Sequence, residues 1–302
     1  MAPFGFALAG INLYWGLTQI LIKHALLYMS SSMYATLRFG AAALLLAGIA
    51  LVRGVHIDRT ALRHGTVLGV LVGGQMLVST YSLYFTSSTN AVFITQLSVV
   101  VVPTLCCWRA RRLPSRRLVA AIVIVLMGLI VFTGVFSGAL NVGDAIALFA
   151  MVGSCAQIIY GARVTARDDV FALTVVQMIA ATALSLPCAL LQGGTVTWTP
   201  ESAAIIVLTG LIGSGVCHSL MLVVQKHVRP AAVSFINVLY PVFAMMGAAL
   251  IPDVASNADT ITPIKLVGAM IVIGGMLVFV VGERVPAERK PEPAPRSIMS
   301  GS

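Results

Sequence analysis

A set of polar and aromatic side chains stands inside long apolar runs of this chain, where hydrocarbon offers them nothing to bond. In "INLYWGLTQILIKHALL" (residues 11–27), Asn12, Trp15 and Gln19 recur at i, i+3 and i+7, which puts them on one helix face. "LGVLVGGQMLVSTYSLYF" carries Gln75 and Ser79 at helical spacing, with Tyr81 beside them. Further along come Gln96, then Gln157 and Tyr160, then His218 four residues after Ser214, then Asn237 three residues after Ser234. Amides and hydroxyls can bond an ammonium or a carboxylate, and aromatic faces can take an apolar side chain or a cation. Ser214 and Ser234 aside, these eleven residues are the candidate substrate-binding set, for a neutral or zwitterionic, partly apolar small molecule. The plainer alternative is that each amide bonds a neighbouring helix, an interaction of about 0.6–2 kcal/mol. Catalysis is not expected, because no nucleophile–base pair, metal-ligand spacing or Walker-type glycine loop occurs and no Asp or Glu falls inside an apolar run. No cofactor and no metal are called for.

The elements that would carry these residues follow from composition. The chain has 302 residues, of which 59% are hydrophobic and 10% charged, with a mean hydropathy of +0.98. A soluble fold of this size cannot hide so much apolar surface. Ten runs are long enough to cross a hydrocarbon core, near 5–23, 33–52, 65–86, 89–108, 117–135, 143–162, 171–192, 203–225, 231–251 and 264–282. The expected class is an all-α integral membrane protein in the cell (inner) membrane. Sixteen of the nineteen Lys and Arg residues fall in the second, fourth, sixth and eighth loops and the tail, which places both termini in the cytoplasm. The net charge of +9 is this topology signal and implies no nucleic-acid partner. Lys23 and Arg38 lie toward the outer ends of their runs and are expected to snorkel to the interface. The five cysteines are dispersed apart from Cys106 and Cys107 and read as small packing residues.

The chain also repeats itself. "TNAVFITQLSVVVVPTLCCW" followed by "AAIVIVLMGLIVFTG" is matched by "RPAAVSFINVLYPVFAMMGAAL" followed by "LVGAMIVIGGMLVFVVG". Each pair has a proline about ten residues in, Pro103 and Pro241, and a glycine before an apolar end. Five spans per half is an odd number, so the second half enters the membrane from the opposite side. Residues 1–138 and 139–284 are therefore read as two inverted five-helix repeats, followed by a proline-rich, charged tail, 285–302, expected to be disordered. Gly73 and Gly74 in the third run correspond to Gly213 and Gly215 in the eighth. With Pro103 and Pro241 they are the expected bending points of an alternating-access cycle.

The order of several stretches resembles the drug/metabolite transporter superfamily, specifically its EamA domain family. They are "YWG" with Lys23 behind it, "LRFG" around Arg38, "TNAVFITQLSVVVVP", "GDAIALFAMVGSCAQIIYGAR" and "RPAAVSFINVLYPVFAMMGAAL". The resemblance runs to about Arg284, and one departure is Cys155, where many relatives carry Trp. What it implies is a ten-helix exporter of small metabolites with the first, third, fourth, sixth, eighth and ninth helices around a central cavity. Within the family the chain is similar to the YddG-type amino-acid exporters. The combined expectation is a secondary transporter exporting amino acids. Exporters of sugars, nucleotide derivatives or hydrophobic drugs, and a passive channel, remain as alternatives.

Overall fold

A computed structural model describes residues 2–86, 91, 94–133, 141–250 and 262–282. The tail 285–302, the boundary expected near 138 and the acidic loop before the last run lie outside the described residues. The helices are α1 (Ala2–Ala25), α2 (Ser31–Arg53), α3 (Arg59–Ser82), α4 (Ser98–Arg109), α5 (Arg116–Thr133), α6 (Val142–Val164), α7 (Val170–Leu191), α8 (Pro200–His227), α9 (Pro230–Asn237), α10 (Tyr240–Leu250) and α11 (Pro263–Gly282). Within α8, Leu208–Val216 is wound as a π-helix. No strand occurs among the described residues beyond an isolated bridge between Met29 and Val196. Eight helices among these residues are long and apolar enough to cross a membrane, and Ile94–Arg109 is a shorter apolar helix.

Helix starts are capped by the residues the sequence supplies. Ser30 accepts the Met33 N–H, Asp58 that of Ala61 and Asp169 that of Ala172. Asn141 with Asp144, and Thr199 with Ser202, form reciprocal capping boxes. Each cap removes an orphan N–H that lipid could not satisfy. Asp144, a carboxylate at a helix start, is thus committed: its Oδ2 accepts the Asn141 N–H at 3.0 Å and its Oδ1 accepts the Thr86 hydroxyl at 2.5 Å.

Two of the expected continuous spans are interrupted. In the ninth, α9 ends at Asn237, Val238 and Leu239 bond only three residues back, and α10 then begins. Pro241 explains the position, because it has no N–H to offer the carbonyl of residue 237. In the fourth, helix over 94–96 gives way to a turn at Leu97 before α4 resumes at Ser98. Pro103 lies inside α4, beyond that break, so it bends the helix without ending it.

Packing follows two kinds of contact. α5 and α11 lie together with their outer sides bare, as Val123, Met127, Met270 and Leu277 illustrate, and their inner sides meet α4 and α9 around Val99, Leu129, Phe235 and Val272. Helices α2, α3 and α7 interlock around Phe39, Val72 and Met178. Between these groups, α1, α4, α6, α8 and α9 enclose an apolar cluster of Leu8, Ile11, Val102, Met151, Cys155, Cys217, Met221, Val224 and Val233. Close approach is evident at Gly247, where a Cβ would stand 2.6 Å from the Leu17 carbonyl oxygen. Gly247→Val is expected to push α1 from α10 and destabilise the protein by about 1–3 kcal/mol. Gly274→Ala, where a Cβ meets nothing within 4 Å, is expected to leave stability unchanged or raise it slightly. Thermal unfolding of the two variants in detergent checks both outcomes.

Candidate functional site

Helix α1 presents Asn12, Trp15 and Gln19 along one face, and each reaches a different element. Asn12 is buried and donates from Nδ2 to the Leu8 carbonyl at 2.8 Å and to Oδ1 of Asn237 at 3.0 Å. The Trp15 indole N–H donates to the Gly213 carbonyl at 2.9 Å, and the neighbouring Tyr14 hydroxyl donates to that of Leu208 at 2.8 Å. Gln19 accepts from the Tyr240 hydroxyl. The two carbonyls held by α1 belong to the π-helical stretch of α8, whose wide turns close with the Cys217 N–H on Ile212. Loosening the ordinary ladder there sets Gly213 and Ser214 toward α1 and α2.

These contacts frame a cavity of about 190 Å³. Asn12, Trp15, Gln19, Gln75, Ser79, Gln96, His218 and Asn237 all line it, drawn from five stretches of the chain. Gln96 and Asn237 stand at the two helix interruptions, and "AVFITQ" (91–96) and "AVSFIN" (232–237) place them at matching positions of the repeat. A helix break thus delivers one amide from each half. His218 packs against Trp15 with ring centroids 5.0 Å apart, and its Nδ1 is enclosed without a hydrogen-bond partner. From Asn12 and Trp15 the cavity runs along α1 and α3 to Ile22, Thr80 and Leu83. That direction leads to the end of the bundle holding the α1–α2 turn. Its opposite end abuts the apolar cluster of Leu8, Met151, Cys217 and Met221.

Both ends of the bundle carry polar ties. At the α1–α2 turn, Tyr28 donates to Oε2 of Glu201 at 2.6 Å, His24 Nε2 stands 3.5 Å from the same oxygen, and the Thr197 N–H bonds the Tyr28 carbonyl at 2.8 Å. The bond to Glu201 holds the Tyr28 phenol above its ordinary pKa. At the other end His64 Nδ1 lies 2.5 Å from Oδ2 of Asp168, and Phe4 stacks on His227 at 4.2 Å.

Three residues expected at the site stand elsewhere. Tyr81 points outward beside Tyr84 and Phe85, Gln157 is buried off the cavity wall, and Tyr160 sets its ring edge-on to His64 at 6.1 Å. The glycines expected as bending points have contact roles here. A Cβ at Gly73 would come within 3.1 Å of Ala181, and one at Gly213 within 3.3 Å of Arg38 Nη2, whereas Gly74 and Gly215 have more room. The cavity also includes residues the sequence reading did not place there: Thr18, Met76, Thr95, Tyr240 and above all Arg38. Arg38 does not snorkel. It lies seven residues into α2, is only 6% exposed, and turns inward to donate from Nε to Ser214 Oγ at 2.7 Å and from Nη1 to the Tyr34 hydroxyl at 3.4 Å. The signal for it was an arginine within an apolar run, a charge that must reach either the interface or a wet interior.

Two copies of the family model for EamA-like transporters match residues 4–134 and 141–281, nearly the whole chain. The chain belongs to the EamA-like transporter family. Its repeat is therefore real, and the protein is a multi-pass membrane protein of a transporter family. An uncharacterized transporter of Archaeoglobus fulgidus is 26% identical over 284 residues, covering 94% of this chain and 86% of that one. A protein of known crystal structure shares the fold with a TM-score of 0.73 at 17% identity, over 94% of this chain and 98% of its own.

The Asn12–Asn237 bond is the direct tie between α1 and α9 at the cavity. Asn12→Ala and Asn237→Ala are expected to be non-additive, with a coupling of about 0.6–1.7 kcal/mol. A double-mutant cycle of unfolding free energies in mixed micelles reads it, and additive losses would mean the bond contributes nothing.

Proposed function

We propose that the protein is a secondary transporter that exports small metabolites, foremost amino acids, through the central cavity by alternating access. In this reading its ten spans form two inverted five-helix repeats in the inner membrane, with both termini cytoplasmic. The observation that carries it is the cavity itself, walled at mid-depth by amides, hydroxyls and one indole and backed on one side by an apolar cluster. Such a wall suits a ligand that is both polar and partly apolar, since Ile22, Met76 and Leu83 alternate with Gln19, Gln75 and Ser79 around it.

The transport cycle would exchange that apolar seal for an opening on the same side. The helix interruptions at Leu97 and at Val238–Leu239 support such a movement, because a broken ladder bends more easily than an intact one. Pro103, Pro241, Gly73, Gly74, Gly213 and Gly215 are the proposed pivots. With no carboxylate on the cavity wall among the described residues, exchange and downhill efflux need no proton-carrying acid.

Counterflow of labelled amino acids in proteoliposomes tests the reading. Saturable, trans-accelerated exchange is expected, and Trp15→Ala or Gln75→Ala is expected to reduce it about 10-fold, the equivalent of one lost polar contact. Exchange confined to sugars, nucleotide derivatives or hydrophobic cations would replace the substrate class. Linear, non-saturating flux would replace the carrier with a channel.

A further inference from the structure

Arg38 carries a full positive charge in the interior of a membrane protein, and no carboxylate of the described residues stands within ion-pair distance of it. Its hydrogen bonds go to two neutral hydroxyls, those of Ser214 and Tyr34. A guanidinium has five N–H donors in a planar fork. Nε and Nη1 are engaged, whereas Nη2 has no protein partner among the described residues and is not one of the fully enclosed polar atoms. Arg38 is also the one Lys or Arg on the cavity wall among those residues. Burying an unpaired charge is costly, so a group that bonds Nη2 and balances the charge is favoured here.

The surroundings hold the fork in place without neutralising it. Gly210 lets α8 press against α2, since a Cβ there would lie 3.0 Å from the Arg38 carbonyl. Gly213 does the same beside the guanidinium, where a side chain would crowd Nη2. Ser214 then grips Nε from the π-helical turn. What remains is one unit of charge and an open pair of donors facing a cavity, which is the complement of a planar anion.

We propose that Arg38 seats the carboxylate of the transported molecule, so that a single carboxylate is the group this cavity requires. The proposal rests on the central cavity being the substrate site, and it narrows the class to monocarboxylates. One guanidinium matches one carboxylate, whereas a phosphomonoester brings close to two negative charges and asks for a second cation. An amino acid seated this way directs its amino group and side chain at the amides and the apolar wall.

The test separates binding from transport. The full-length protein in detergent is titrated calorimetrically with the standard amino acids, with the amide of each one that binds, and with 2-aminoethylphosphonate as a phosphonate lacking a carboxylate. Each acid is expected to bind at least about 30-fold more tightly than its amide, the ratio set by truncating one side of a buried charge pair. Arg38→Gln is expected to weaken the acid by about the same factor and to abolish the distinction between acid and amide. Arg38→Lys, which keeps the charge and loses the fork, is expected to fall between the two.

If Arg38 only props the helices apart, Arg38→Gln will weaken acid and amide alike and leave their ratio intact, which overturns the proposal. Equal binding of acid and amide by the unaltered protein overturns it with no variant needed, as does binding of the phosphonate alone, or of no amino acid at millimolar concentration. Arg38-dependent carboxylate binding without exchange in proteoliposomes would keep the anion site and remove the transport reading. Saturable exchange that treats acid and amide alike would do the reverse.

Discussion

Glycine at 210 and 213 lets the backbone of α8 lie against α2 around a buried guanidinium, and the cavity is arranged about that contact. A longer side chain at 210 would press on the α2 backbone, and one at 213 would crowd the guanidinium that Ser214 holds. The π-helical turns add a second condition. They present the carbonyls of Leu208 and Gly213 to the Tyr14 hydroxyl and the Trp15 indole, so α1 docks on the same stretch that holds Arg38. Three helices are thereby joined by hydrogen bonds from side chains of α1 and α2 to α8, in a medium where lipid competes for none of them. The remaining walls can then be held by weaker contacts.

Much of this was legible in the sequence, and the reasons differ by residue. The stripe of Asn12, Trp15 and Gln19 lies on the cavity because its periodicity matches the helix and polar groups in hydrocarbon have few other places to go. The same logic placed Gln75, Gln96, His218 and Asn237. It failed for Gln157, which is buried against protein off the cavity, and for Tyr81, which faces outward near the end of α3. Periodicity gives the angle of a side chain around its helix but not which neighbour stands there. Tyr160 illustrates that limit, since its partner His64 comes from a distant part of the chain.

Arg38 was read wrongly for a physical reason. A long basic side chain near a helix end has two ways to escape lipid, along its own helix to the interface or sideways into the bundle, and sequence position cannot tell them apart. The choice was made by Ser214, 176 residues away. The π-helix was equally hidden, because its glycines also suit close packing in an ordinary helix. The interruption at Asn237 was half visible: Pro241 announces a lost bond, and the bond lost is the one four residues earlier. That the break should deliver an amide to the cavity, and that Gln96 should do so at the matching point of the other repeat, needed three dimensions.

The apolar cluster beneath the cavity has a consequence for the membrane as a whole. Leu8, Ile11, Val102, Met151, Met221 and Val233 meet there with no hydroxyl, amide or charge among them. Apolar side chains in contact offer water no hydrogen bond of their own, and protons hop only along connected waters. A membrane protein that let a connected file of water through would leak protons across the bilayer that holds it. Packed apolar side chains at this level of the bundle oppose such a leak.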